Sequence, residues 1–183
     1  MLDFALGLRQ RIGHWLNGLK KRASNDFSGP IADKRRILIV ADVSCAENRE
    51  AVGVLKSELR KVCPNSNINI AGFYNKKKGE AYNLISDERE KYFTDESVSF
   101  FFKFKDDDIM GFLAAGYDVA IFFTQRKNAL TDFASAYVSA DLRIGWRGAE
   151  IDSGGILNFC VQEGEKPKVS VKNIMDAICM IFK

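Results

Sequence analysis

The sequence predicts an α/β fold of the doubly wound, Rossmann-like type, with a mostly parallel sheet of five or six strands behind an N-terminal amphipathic helix. First, the run at residues 36–41, Arg-Ile-Leu-Ile-Val-Ala, is apolar and rich in β-branched residues, as in a central strand buried on both faces. Second, segments with helical periodicity alternate with short apolar segments along the rest of the chain. Third, 183 residues with 46% hydrophobic and 28% charged side chains suit one globular core.

The N-terminal segment, residues 1–30, is predicted to form an amphipathic helix over about residues 2–22, followed by a linker. Its apolar stripe contains a tryptophan and has basic side chains along its borders, as in helices that lie in a membrane surface. The same stripe suits docking on the domain's own sheet or on a second subunit, and both alternatives stay open. The residues expected to make this contact are Leu8, Arg9, Arg11, Ile12, Trp15, Leu19 and Lys20.

Residues 31–183 form the predicted domain, which opens with a βαβ unit. Residues 36–41 are its first strand. Apolar residues at helical spacing follow and end before Pro64, and residues 68–73 form the second strand. Because crossovers between parallel strands are right-handed, this unit predicts a parallel sheet.

The middle of the chain is less regular. Residues 74–97 are polar and are expected to form a surface excursion with only a weak helical pattern. Residues 98–104 are predicted to form an aromatic strand. The acidic run that begins at Asp106 then caps a short helix, which Gly116 ends.

The last third of the chain repeats the alternation of strands and helices. Strands are predicted at residues 118–124, 142–145 and 155–162. The inward-facing residues of the two helices are Leu130, Phe133, Ala134, Tyr137 and Val138 in the first and Val171, Ile174, Met175, Ile178, Cys179 and Phe182 in the second.

Cysteine usage and hydropathy predict a cytoplasmic protein, and the N-terminal stripe leaves peripheral contact with the inner membrane open. The four cysteines stand far apart without a C-x-x-C pair, so buried free thiols are expected. The longest apolar stretches fall far short of the roughly 18 residues of a membrane span. Basic residues interrupt the N-terminal apolar stripe, unlike in a signal peptide.

The sequence lacks the residues that most kinds of catalysis require. The only histidine, His14, lies in the N-terminal helix, which disfavours both nucleophilic catalysis with a histidine base and zinc binding. The first strand is followed by Val-Ser-Cys-Ala instead of a glycine-rich phosphate loop. We therefore predict no metal and no cofactor.

Nucleic acid is not predicted as a partner. The formal net charge is only +3, and the three lysines at positions 76–78 lie on an expected loop without a supporting aromatic or arginine cluster. A protein partner or self-association is expected instead.

Candidate binding residues follow from the predicted topology. In an open parallel sheet, ligands bind at the carboxyl ends of the strands, where helix N-termini converge. Asp42 and Ser44 follow the first strand, Arg126 and Lys127 follow the fourth, and Arg143 lies in a later turn. Arg126 and Lys127 equally suit a solvated loop, and Arg143 equally suits a brace on backbone carbonyls.

Two segments together resemble the N-terminal half of glycosyltransferase family nine, the heptosyltransferase-like enzymes of bacterial lipopolysaccharide synthesis. The first is Arg-Ile-Leu-Ile-Val at 36–40 with the loop and helix that follow. The second combines Gly-Tyr-Asp-Val-Ala-Ile at 116–121, Asn-Ala-Leu at 128–130 and Ala-Asp-Leu-Arg-Ile-Gly-Trp at 140–146. The matching region spans about 110 residues.

This resemblance implies a Rossmann-like fold and places the family's catalytic base in the first loop, where the family carries a Gly-Asp pair. The present sequence has Ala46 and Glu47 there, so the resemblance makes Glu47 the candidate catalytic residue. An acid also suits the first turn of any helix, so Glu47 equally suits helix stabilisation. The family's second half, which holds most of the sugar nucleotide, has no counterpart here, and this favours a non-catalytic role.

The arrangement of residues 35–182 also resembles a family of small uncharacterised proteins from the Bacteroidota, which implies the same fold and no activity. We therefore expect a non-catalytic, Rossmann-like interaction module. The alternative is a small-ligand or sugar-nucleotide-related enzyme that uses the crevice at the carboxyl ends of the strands.

Overall fold

The sheet is the central element of the fold. The computed structural model describes residues 33–74, 84–99, 103–124, 129–146 and 157–182. These form a six-stranded sheet in the order β3-β2-β1-β4-β5-β6, with every neighbouring pair parallel. The strands are β1 (Arg36–Asp42), β2 (Asn67–Phe73), β3 (Glu90–Phe93), β4 (Tyr117–Phe123), β5 (Ala140–Trp146) and β6 (Phe159–Val161). The predicted doubly wound α/β fold is confirmed.

Helices cover both faces of this sheet. In the described part of the chain they are α1 (Ala46–Val62), α2 (Asp107–Leu113), α3 (Ala129–Tyr137) and α4 (Pro167–Ile181), with a 3-10 turn at Asp95–Ser97. Buried residues of α1 and α4 share one core cluster, and those of α2 and α3 share the other. The two clusters lie on opposite faces, which makes the fold a three-layer α/β/α arrangement.

The unbroken apolar run of β1 is explained by these two layers. Successive side chains of a strand point to opposite faces. Ile37 and Ile39 belong to the cluster under α1 and α4, whereas Leu38 and Val40 belong to the cluster under α2 and α3. All four side chains are fully buried, so β1 has no solvent-facing side on which polar residues would be favoured.

Both predicted ends of α2 are found in the structure. Asp106 is the N-cap, and its carboxylate accepts a hydrogen bond from the Asp108 backbone N–H at 2.9 Å. Gly116, just beyond the helix, has φ +79°, a left-handed conformation that glycine adopts without a steric penalty.

The predicted aromatic strand at residues 98–104 is wrong. Within the described residues, this region forms only an isolated antiparallel bridge between Val98 and Phe104. The side chain of Phe104 is instead buried in the core and packs on Phe93 and Phe133, with ring centroids 5.6 Å and 5.1 Å away. The third strand of the sheet is β3, which lies in the region predicted to be a surface excursion.

Two further strands differ from their predicted lengths. The strand predicted at residues 142–145 extends over the whole of β5, whereas the strand predicted at 155–162 is reduced to β6 among the described residues. β5 is longer because it pairs with a neighbour on each side. β6 is an edge strand, for which short length is common.

The predicted N-terminal helix and its linker lie outside the described residues, as do the contact residues named for it. In the parts of the chain that the structure describes, no helix combines the length and the apolar character needed to cross a membrane.

Candidate functional site

The strand order places the candidate site between β1 and β4. These two strands are neighbours in the centre of the sheet, with Ala41 opposite Phe123 near their carboxyl ends. From β1 the chain proceeds to β2 on one side, and from β4 it proceeds to β5 on the other. This pair therefore flanks the point where the strand order reverses, and in doubly wound proteins the ligand crevice lies at that point.

The turn between β1 and α1 is closed by its own side chains. The Asp42 carboxylate accepts a hydrogen bond from the Ser44 backbone N–H at 2.9 Å. The Asn48 amide donates to the Asp42 carbonyl at 3.0 Å, and the Arg49 guanidinium donates to the Val43 carbonyl at 2.9 Å. One N–H group and two carbonyl groups of this turn are thus paired within the protein.

Glu47 stands in the first turn of α1 and is exposed. The N-cap residue of this helix, Cys45, makes no side-chain capping bond. A negative charge near a helix N-terminus is favourable, because the helix dipole places partial positive charge there. Glu47 thus complements the same positive end that Rossmann-fold enzymes offer to a phosphate.

Thr124 lies directly after β4, at the start of the loop at the carboxyl end of that strand, where ligand contacts are expected. Its side chain is 7% exposed. The predicted ligand-binding residues Arg126 and Lys127 follow but lie outside the described residues.

Arg143 is buried below the carboxyl end of the sheet. It is opposite Ala120 in the β4–β5 register, and its guanidinium donates to the Val138 carbonyl at 3.1 Å. Val138 immediately follows α3, so this bond braces the C-terminal end of that helix. The hydrogen bond to a backbone carbonyl that was expected of Arg143 is therefore present. A role of Arg143 in ligand binding stays a prediction.

The carboxyl end of β5 contributes a second buried donor that the sequence analysis missed. Trp146 is 2% exposed, and its ring meets that of Phe123 edge to face, with centroids 5.8 Å apart. Its indole N–H has no acceptor among the described residues. The predicted strand ended at residue 145, and Trp146 was named only in the motif of the resemblance, so this donor was not predicted.

The N-terminus of α4, which also lies at this end of the sheet, is covered by the chain that precedes it. The Gly164 N–H donates to the Ser170 hydroxyl at 3.1 Å. A Cβ at Gly164 would stand 2.8 Å from the Ser170 backbone nitrogen. Backbone therefore packs directly on the first turn of α4 and leaves little room for a ligand there.

A polar cluster away from the crevice joins α1 to β3. Glu90 accepts hydrogen bonds from the Lys56 ammonium and the Tyr92 hydroxyl, each at 2.6 Å. Burial raises the pKa of the Tyr92 hydroxyl, and its hydrogen bond to Glu90 raises it further. A phenol held protonated in this way serves as a hydrogen-bond donor, so the cluster suits a structural tie between the two elements.

The described residues give little support for metal binding or for thiol chemistry. The described residues contain no group of histidine, cysteine and carboxylate side chains that would hold a metal ion. All four cysteines are free. Burial raises the pKa of the Cys63 thiol, whereas Cys45 and Cys179 are exposed; the expectation that the thiols are buried is therefore wrong for these two.

Comparison with known proteins gives one match. A family model described as "Family of unknown function (DUF6913)" matches residues 14–166. Neither the curated proteins nor the solved structures yield a match to the chain. No comparison therefore assigns a role to a residue of the crevice.

Proposed function

We propose that this chain, which belongs to the family of unknown function DUF6913, is a non-catalytic interaction module built on a Rossmann-like sheet. The observation that carries this proposal is the closed turn between β1 and α1. Enzymes of this fold hold nucleotide phosphates at this turn by presenting open backbone N–H groups from a glycine-rich loop. Here the stretch between Asp42 and Val52 contains no glycine.

The charges at the turn support the same conclusion. A phosphate placed at the N-terminus of α1 would meet the carboxylates of Asp42 and Glu47. Two like charges in contact near a protein surface repel by about 4 kcal/mol. The Ser44 N–H, which a phosphate would need as a donor, is already bonded to the Asp42 carboxylate. Both effects oppose nucleotide binding, and protein contacts remain as the mode of action.

The strand order favours a second candidate function. A crevice between β1 and β4 is the usual ligand site of a doubly wound sheet. In this alternative, the chain binds a small ligand or a sugar nucleotide, Glu47 acts as acid or base, and Arg126, Lys127 and Arg143 hold an anion.

A thermal-shift screen separates the two candidates. A ligand that binds only the folded state raises the melting temperature. With nucleoside diphosphates and sugar nucleotides, the interaction module is expected to show no shift. A shift that Glu47→Gln abolishes and Glu50→Gln retains would favour the enzyme. Glu50→Gln is the matched control because Glu50 lies on the same helix and pairs with Lys168 at 2.9 Å.

A further inference from the structure

The outer surface of the layer formed by α1 and α4 exposes apolar side chains. Four large hydrophobic residues are exposed in the described part of the chain, and three of them lie on these two helices. They are Val54 on α1 and Val169 and Met180 on α4, and Met180 is 63% exposed. Single exposed apolar residues need no explanation, whereas three on one layer indicate a contact surface.

The two helices lie side by side, so these residues share one surface. Buried residues of both helices belong to the same core cluster, and Glu50 on α1 forms an ion pair with Lys168 on α4 at 2.9 Å. Both helices begin at the carboxyl end of the sheet and therefore run in the same direction. The outer apolar face, defined as Val54, Val169 and Met180, extends about 16 Å along α4.

Residues 1–32, which precede the described part of the chain, join the fold at one end of this face. The Arg35 carbonyl, just before β1, accepts a hydrogen bond from the Asn67 N–H at 2.7 Å. Asn67 begins β2, only five residues beyond the end of α1. The preceding chain therefore enters at the amino end of the sheet, beside the C-terminal ends of α1 and α4, and Met180 lies at this end of the layer.

We propose that residues 2–22 of the same chain pack as a helix on the outer apolar face. The apolar stripe predicted for this segment runs from Leu8 to Leu19, which is also about 16 Å in a helix. Because the chain enters beside Met180, this arrangement places Leu19 near Met180 and Leu8 near Val169. The stripe and the face thus agree in length and in position.

The connection between the two parts makes a small contact area sufficient. Residues 23–32 can extend over about 33 Å, which is long enough to reach the face. A tethered segment has an effective concentration in the mM range, so it occupies a face that it would bind only weakly as a free peptide. This contact does not depend on whether the crevice binds a ligand, and it therefore goes beyond the proposed function.

The native cysteines provide the test. Cys179, next to Met180, and Cys45, at the opposite end of the layer, are both exposed on the described domain. Alkylation of each thiol by N-ethylmaleimide is followed by peptide mass spectrometry in the 183-residue chain. Trp15→Gln removes the ring from the stripe. It is expected to raise the alkylation rate of Cys179 about tenfold, which corresponds to about 1.4 kcal/mol lost from the contact, and to leave that of Cys45 unchanged.

A pair of substitutions in the described domain gives a second readout and its control. Met180→Gln should also raise the alkylation rate of Cys179, whereas Ile85→Gln should not, because Ile85 is exposed but lies outside this layer. Protection of Cys179 is expected at every protein concentration, since the covering segment belongs to the same chain. Unchanged alkylation of Cys179 in Trp15→Gln would overturn the proposal. Protection that appears only at high protein concentration would also overturn it, because a second copy would then cover the face.

Discussion

Glu90 is a single residue whose ionisation contributes to the fold. Burial alone would raise the pKa of its carboxyl group, but the hydrogen bonds from Lys56 and Tyr92 outweigh this effect and lower the pKa. A carboxylate whose pKa is lower in the folded state stabilises the protein fully above its unfolded-state pKa. This stabilisation is lost as the pH falls through the folded-state pKa.

We predict that Glu90→Gln lowers the free energy of unfolding at neutral pH by about 1–2 kcal/mol, because the charge-assisted hydrogen bond from Lys56 is weakened. The difference from the wild type should shrink as the pH falls below the unfolded-state pKa of a glutamate. Urea unfolding at a series of pH values measures both effects. Glu58→Gln is the control, because Glu58 belongs to an exposed pair with Lys61 and such pairs contribute little.

Two glycines provide a matched test of packing. A Cβ at Gly72 would stand 2.6 Å from the Tyr92 ring, whereas a Cβ at Gly53 would have nothing within 4 Å. Gly72→Ala is therefore expected to destabilise the protein by about 1–3 kcal/mol. Gly53→Ala lies in the helix α1 and should stabilise it by about 0.5–1 kcal/mol. Equal effects of the two substitutions in thermal unfolding would contradict the packing around Gly72.

Sequence patterns identify residues whose roles are local, and they miss those that depend on contacts across the fold. The cap at Asp106 and the helix stop at Gly116 were both predicted, because each acts on backbone within a few residues. The unpaired indole N–H of Trp146 was missed. In sequence Trp146 does not differ from an ordinary strand residue, because the missing acceptor is a property of the assembled sheet.

Among the strands, β1 and β4 were predictable and β3 was not. β1 and β4 are buried on both faces and read as apolar runs. β3 has the sequence Glu-Lys-Tyr-Phe, which has no such pattern. The aromatic residues after β3 predicted a strand, but Phe104 is a loop residue whose side chain is buried in the core. A buried strand residue and a buried loop residue are equally apolar, so the sequence pattern does not distinguish them.

The outer edge of β3 is protected by side chains from the flanking chain. The Glu90 N–H donates to the Asp87 carboxylate at 2.7 Å, and the Tyr92 N–H donates to the Ser86 hydroxyl at 3.1 Å. Beyond the strand, the Thr94 N–H donates to the Ser97 hydroxyl at 3.0 Å. These outward-facing amides, which could otherwise pair with a strand of another chain, are thus already hydrogen-bonded.

We predict that combined replacement of Ser86 and Asp87 by alanine promotes aggregation, because the outward N–H groups of Glu90 and Tyr92 become available for pairing. Light scattering during storage and size-exclusion chromatography measure the change. Glu88→Ala is the control, as Glu88 is exposed and lies between the protecting residues and β3. Aggregation of the control to the same extent would count against edge protection.

The N-terminal segment allows a prediction from its sequence. The stripe that includes Leu8, Ile12 and Trp15 suits either a membrane surface or a protein surface, and we expect protein packing. In flotation with anionic liposomes, both this chain and a variant that lacks residues 2–22 should then stay in the soluble fraction. Flotation that depends on residues 2–22 would instead establish the membrane contact.

The whole molecule combines an architecture suited to ligand binding with a turn that opposes phosphate. Its strand order places the ligand crevice expected of a doubly wound sheet between β1 and β4. At that crevice, Asn48 and Arg49 hold the turn closed, and the carboxylates of Asp42 and Glu47 carry the wrong charge for a nucleotide. The fold class was predictable from alternating strands and helices, but this closure depends on side chains that meet only in the folded chain.

The central claim is that the turn between β1 and α1 does not bind phosphate. It is tested most directly by an NMR titration that follows the backbone amides of residues 44–48 as inorganic pyrophosphate and then uridine diphosphate are added. The account predicts that these amides keep their chemical shifts. Saturable shifts centred on the first turn of α1 would show that this turn does bind phosphate, and would contradict the account.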